Sequence, residues 1–206
     1  MNNNHPHPHR FGNQIRVLAA SACLAAVAAV SASEREQLRD LISDATSKTV
    51  ATLTELKNAG NLDPVTSLDV IQQFLAPHIS YPALTQAAMG KHWRKASDGE
   101  KEAITEQFKG LLERTYAVTM SKFTGQKVAV AEARELDDGS VAVLTKIQDA
   151  TVENIMREVD GEWKIVDIKV EGVSLISNYR RQFDAVVRQH SITRLIEALR
   201  DKNQGG

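Results

Sequence analysis

The spacing of apolar residues along the chain changes twice, from helical to alternating and back to helical. Ser33-Glu34-Arg35-Glu36 reads as a capping box, in which a serine hydroxyl and a glutamate carboxylate satisfy each other's backbone amides. Behind it Leu38, Leu41, Ile42, Ala45, Thr49, Leu53 and Leu56 fall on one helical face, and Gly60 closes the helix. Asp63-Pro64 supplies an N-cap and a first-turn proline for a second helix with Leu68, Ile71 and Leu75 inward; Pro77 ends it. A short third helix runs from Pro82 to Gly90. Ser97-Asp98-Gly99-Glu100 is a second capping box and predicts the longest helix of the chain, with Ile104, Phe108, Leu111, Leu112, Tyr116, Met120 and Phe123 along its stripe.

After Thr124-Gly125 the period becomes two. Val128 and Val130 alternate with small residues, and Asp137-Asp138-Gly139 is a turn. Val141, Val143, Thr145 and Ile147 share one strand face, with Ala142 and Leu144 on the other. A third strand, about 151–159, meets Asp160-Gly161, a strong hairpin signal. The fourth, about 162–170, carries Trp163 and Ile165 on one face and Val166, Ile168 and Val170 on the other. Helical spacing then returns in Leu175, Ile176, Tyr179, Phe183, Val186 and Val187, and in Ile192, Leu195, Ile196 and Leu199. Four hairpin-linked strands among segregated helices predict an α+β fold with an antiparallel sheet.

The N-terminus is different in kind. Arg10 and Arg16 are followed by an uncharged run from Val17 to Val30, too short to span a bilayer, and then by Val30-Ser31-Ala32 with small residues at the −3 and −1 positions. This predicts a secretory leader over 1–32 and one mature domain over 33–206, exported unfolded because no twin-arginine pair precedes the run. Cys23 is a poor lipidation site, since apolar sequence continues past it.

Removing the leader leaves 206 − 32 = 174 residues with 25 − 2 = 23 basic and 26 acidic side chains, a net charge of −3, and no cysteine. That balance argues against a nucleic-acid binder, and the missing cysteines exclude disulfides and thiolate metal clusters. The remaining histidines, His78, His92 and His190, lie on separate segments without metal-ligand spacing and suit surface or capping roles. Gly172-Val173-Ser174-Leu175 lacks the second glycine of a nucleophile elbow, so Ser174 reads as an N-cap. Lys91, His92, Arg94 and Lys95 surround Trp93, either as an exposed inter-helix loop or as a contact for lipid phosphate or an acidic partner. Many Val, Leu, Ile and Thr side chains but few aromatics face the space between sheet and helices. Both a packed core and an apolar ligand cavity fit that supply.

From about Leu84 to Leu199 the chain resembles the MlaC/toluene-tolerance family of periplasmic phospholipid-binding proteins. The resemblance is carried by Met89-Gly90-Lys91-His92-Trp93-Arg94-Lys95-Ala96-Ser97, Thr115-Tyr116-Ala117, Phe123-Thr124-Gly125-Gln126-Lys127-Val128 and Trp163-Lys164-Ile165-Val166-Asp167. Val170-Glu171-Gly172-Val173-Ser174-Leu175-Ile176-Ser177-Asn178-Tyr179-Arg180 completes it. Residues 33–83 match only in helical character. The family implies a nuclear-transport-factor-like cone with a lipid cavity. It also implies a non-enzymatic, monomeric carrier without cofactor, moving phospholipid between an outer-membrane lipoprotein–porin complex and an inner-membrane ABC transporter. By position it places Val173 against the lipid. Face periodicity adds Tyr116, Met120, Val166, Ile168 and Ile176, and the basic cluster adds Trp93. The family's longer hairpin between Ile147 and Trp163 is replaced here by an abrupt Gln148-Asp149-Ala150-Thr151, which leaves a hopanoid-associated branch as an alternative. An enzyme on a cone fold would need paired acid/base groups on inward faces that offer Thr145, Tyr116 and little else; a packed interaction module without ligand is the third reading.

Overall fold

The computed structural model describes Met1 and residues 29–205, so residues 17–28 of the apolar run and Cys23 lie outside the described residues. Among the described residues six α-helices frame one sheet: α1 (Ala32–Asn58), α2 (Pro64–Val70), α3 (Tyr81–Met89), α4 (Asp98–Met120), then β1 (Val128–Glu135), β2 (Val141–Ile147), β3 (Ala150–Val159), β4 (Glu162–Val170), β5 (Val173–Ser174), and finally α5 (Leu175–Gln189) and α6 (Ile192–Gln204). The sheet is an antiparallel meander in sequence order. The α+β class and the antiparallel sheet are as expected, but five strands form rather than four.

Local signals placed most boundaries. Asp63 caps α2 in a box with Thr66, Ser97 and Glu100 form theirs at α4, and Ser174 caps α5. Asp160 and Gly161 turn β3 into β4 with both φ positive, at +53° and +83°. Two helix expectations need correction. The first helix starts at Ala32, with Ser31 accepting from the Glu34 amide at 3.1 Å, so Ser33 is already inside it. At 27 residues it also exceeds the 23 of α4, which stops at Met120 and leaves Phe123 outside.

Two layers result. The helical layer packs α3, α4, α5 and α6 around Leu84, Ile104, Phe108, Leu112, Ile176, Phe183 and Leu199. Phe108 meets Tyr179 and Phe183 edge-on at 4.8 and 5.1 Å, so those three rings fill the helical layer rather than the space over the sheet. The second layer sets the first half of α1, with Leu38 and Ile42, on Val141, Val143, Met156 and Ile165 of the sheet. On the far sheet face Ala142, Ile155 and Val166 pack with Ala83 and Leu144.

Two β-bulges rearrange the faces. In β4, Ile155 pairs with Asp167 and Met156 with Ile165, so Val166 is the extra residue. A bulge places two successive residues on one face. Val166 therefore packs with Ala142 and Ile155, whereas Ile168 returns to the α1 face with Trp163 and Ile165. The single face expected for Val166 and Ile168 is thereby split. In β1 a register shift between Val130 and Ala133 keeps both on the α1 side.

Candidate functional site: an apolar row across the sheet

Register assigns the α1 face residue by residue. One row across it is Ala133, Val143, Asn154 and Ile168. The next is Val130, Thr145, Val152, Val170 and Val173, one residue from each of the five strands and every one β-branched. Beyond it lie Val128, Ile147 and Ala150. Cross-strand neighbours on one face touch, so the rows form a continuous and mostly apolar surface. Cover fails along the second row: Thr145 is 4% exposed, but Val170 is 44% and Val173 64%. The polar groups of these rows are Thr145 and Asn154, and they answer each other, Asn154 Nδ2 donating to Thr145 Oγ1 at 3.3 Å and to the Val143 carbonyl at 3.4 Å. Such a surface can hold apolar matter; it presents no acid/base pair.

A carboxylate fixes the open end. Asp167 Oδ1 accepts from the Ile168 amide at 2.8 Å and the Ile176 amide at 3.1 Å, and Ser174 Oγ donates to Oδ2 at 2.5 Å. The same Ser174 oxygen accepts from the Ser177 amide at 2.9 Å, capping α5. Between them Glu171 and Gly172 form a two-residue turn with φ of +49° and +75°, the geometry that lets β5 fold back on β4. Glu171 is held by β3: its amide donates to the Thr151 carbonyl at 2.9 Å, and its carboxylate accepts from the Thr151 amide. The turn is thus rigid, and it aims Val173 outward beside Val170.

Of the expected lipid contacts, Val173 and Ile168 share this face. Ile176 is 3% exposed in the helical layer, joined to the site through Asp167. Tyr116 is half-buried in that layer, its hydroxyl pKa raised first by burial. Met120 is half-buried at the last residue of α4. Val166 faces the opposite side of the sheet, for the reason given above. Trp93 lines a separate open groove of about 510 Å³ with Pro82, Lys101, Glu102, Thr105, Glu106 and Lys109, where the Lys101 ammonium stands 5.9 Å from the indole centroid. Periodicity placed Val130 and Val170 on strands but did not mark them, Val152 or the anchor Asp167 as site residues; the signal shared by the three valines is their β-branched side chains at matching hairpin positions, and Asp167 has no such signal.

The basic cluster is not a loose loop. Residues 90–95 form a 3₁₀ turn, and His92 is buried at 7% exposure, against the surface role expected for it. Its Nε2 lies 2.8 Å from Asp184 Oδ1, and Lys91 Nζ is 2.9 Å from the same oxygen. Hydrogen bonds from Lys91 and then His92 hold the Asp184 carboxyl well below its ordinary pKa. Among the described residues no group of three His, Cys, Asp or Glu is placed to hold a metal. Nor, among them, is any helix long and apolar enough to cross a membrane.

An α+β chain with a meander sheet, one face of which is apolar and incompletely covered, defines a class of binding protein built around an apolar surface. The family can be stated more narrowly. The family model described as MlaC protein matches residues 43–201, and the chain belongs to that family. It is 22% identical over 143 residues to the intermembrane phospholipid transport system binding protein MlaC of Haemophilus influenzae, covering 65% of this chain and 67% of that one. It is 25% identical over 156 residues to the toluene tolerance protein ttg2D of Pseudomonas putida, covering 72% and 73%. A solved phospholipid-binding protein of Ralstonia solanacearum, in complex with a phospholipid, has the same fold, with a TM-score of 0.71 and 24% identity over 80% of this chain and 96% of that one.

Proposed function

We propose that this protein is a periplasmic phospholipid carrier. The sheet and helices form a cone whose apolar side receives the acyl chains and leaves the head group outside. The carrier shuttles lipid between an outer-membrane lipoprotein–porin complex and an inner-membrane ABC transporter, and so maintains outer-membrane lipid asymmetry. The observation that carries this is the β-branched row from Val130 to Val173, whose exposure rises toward the β4–β5 end. Family membership and the phospholipid named in the relatives' descriptions support it.

The energetics suit a carrier. Each methylene kept out of water is worth about 0.8 kcal/mol, so a two-chain lipid cannot cross water bare. Transfer from bilayer to an apolar pocket nearly cancels, and docking can then set the direction without covalent chemistry. An exposed head group leaves specificity broad. The test is lipid extraction from the exported protein, purified without added lipid, followed by mass spectrometry. Co-purifying phospholipid is the expected result; a hopanoid in its place marks the hopanoid-associated branch, and a lipid-free extract from gently handled protein refutes the carrier.

A further inference from the structure

Residues just past the apolar run are built into the domain. Val30 is 8% exposed and packs with Leu38, Ile42, Val141, Val143, Met156 and Ile165. Its amide donates to Glu135 Oε1 at 3.1 Å, and its carbonyl accepts from Arg35 Nη1. Arg35 also pairs with the second Glu135 oxygen at 3.6 Å. Ser31 caps α1, its hydroxyl accepting from the Glu34 amide and its carbonyl from the Arg35 amide at 3.0 Å. Glu34 in turn accepts from the Trp163 indole at 2.9 Å. Residues 30–35 therefore join α1 to β1 and β4.

A leader cut after Ala32 would discard Val30 and Ser31. It would open a hole against the sheet, strip the cap from α1 and leave Glu135 and Arg35 short of a shared partner. A leader peptidase reads small residues at −3 and −1 on the extended chain, and Ala26-Val27-Ala28, with alanine at both positions, offers that pattern just upstream of Val30. The apolar run before it, Val17 to Ala25, is still long enough for a leader core. We infer that the chain is processed between Ala28 and Ala29, giving a mature protein of 206 − 28 = 178 residues. The new α-ammonium, on Ala29, lies one residue before the amide held by Glu135.

The test expresses the full chain in a bacterium that exports it and reads the N-terminus of the product by intact mass and terminal sequencing. The expected start is Ala29. Ala28→Asp blocks processing, whereas Ala32→Asp, an acid in the exposed first turn of α1, leaves the cut where it is. Val30→Ala is cut at the same bond but melts at a lower temperature. A product starting at Ser33, an uncut exported chain, or a block by Ala32→Asp but not Ala28→Asp overturns the assignment; so does an unchanged melting temperature for Val30→Ala. The inference shares only export with the carrier proposal: a protein starting at Ala29 that yields no lipid sinks the carrier and leaves this site standing.

Discussion

Asp167→Ala is the sharpest probe of how the site is held. The carboxylate takes three donors, two amides at 2.8 and 3.1 Å and the Ser174 hydroxyl at 2.5 Å. A hydrogen bond to a charged acceptor contributes about 1.5–3 kcal/mol when its loss leaves a buried partner. The Ile168 amide is a local contact, and Asp167 is only half-buried, so water recovers part of the sum. The net expectation is a loss of about 2–4 kcal/mol. Ser174→Ala removes the cap of α5 and one Asp167 bond together, at about 1 kcal/mol. Because both substitutions delete the same Asp167–Ser174 link, the double variant should fall short of the sum by at least about 0.5 kcal/mol. Urea denaturation of the two single variants and the double variant, followed by far-UV circular dichroism, measures all three values. A loss below about 1 kcal/mol for Asp167→Ala, or strict additivity, would show that the β4–β5 turn is held by something else.

Other expectations follow from the same geometry. Val173→Glu, at a position 64% exposed, should leave stability within about 0.5 kcal/mol while removing co-purified lipid; retained lipid places the ligand elsewhere. Met156→Ala, at a fully buried position between α1 and the sheet, should cost about 2–5 kcal/mol in urea unfolding. Tyr81 donates to the buried Glu113 carboxylate at 2.8 Å, so Tyr81→Phe should cost about 1–3 kcal/mol by the same assay, and a neutral result would mean that the carboxylate is satisfied by other donors. The folded-state pKa of Asp184 lies below its ordinary value, so its contribution to stability is present above the normal carboxylate range and lost as the pH falls below it. Melting curves should show wild type losing more stability than Asp184→Asn as the pH drops below about 4, and parallel curves refute that role.

How much of this was legible along the chain follows from the range of each interaction. The N-cap at Asp63, the capping box at Ser97, the closing Gly60 and Gly90, and the Asp160-Gly161 turn act within four residues, and each is found where the sequence puts it, whereas the box read at Ser33 gives way to a cap at Ser31. The helical stripes and the β-alternation come from the same short-range geometry, so the α+β order was readable throughout. The family resemblance was readable too, because its motifs are contiguous.

What the sequence could not determine depends on partners distant in the chain. Strand alternation assumes an unbroken ladder, and only pairing with Ile155 and Met156 reveals that Val166 bulges and sends Ile168 to the opposite face. The two residues of β5 carry no strand signal of their own; they become a strand because Val170 and Lys169 pair with them across a tight turn. His92 looked like a surface residue until Asp184, 92 positions away, met it. Val30 looked like the tail of a leader until Glu135, 105 positions on, accepted its amide. Local sequence determines which elements form, since caps and periodicity are settled among neighbours. Which apolar side chains end up covered and which face a ligand is decided only when the strands register and the helices take their places, because exposure is a property of the assembled surface.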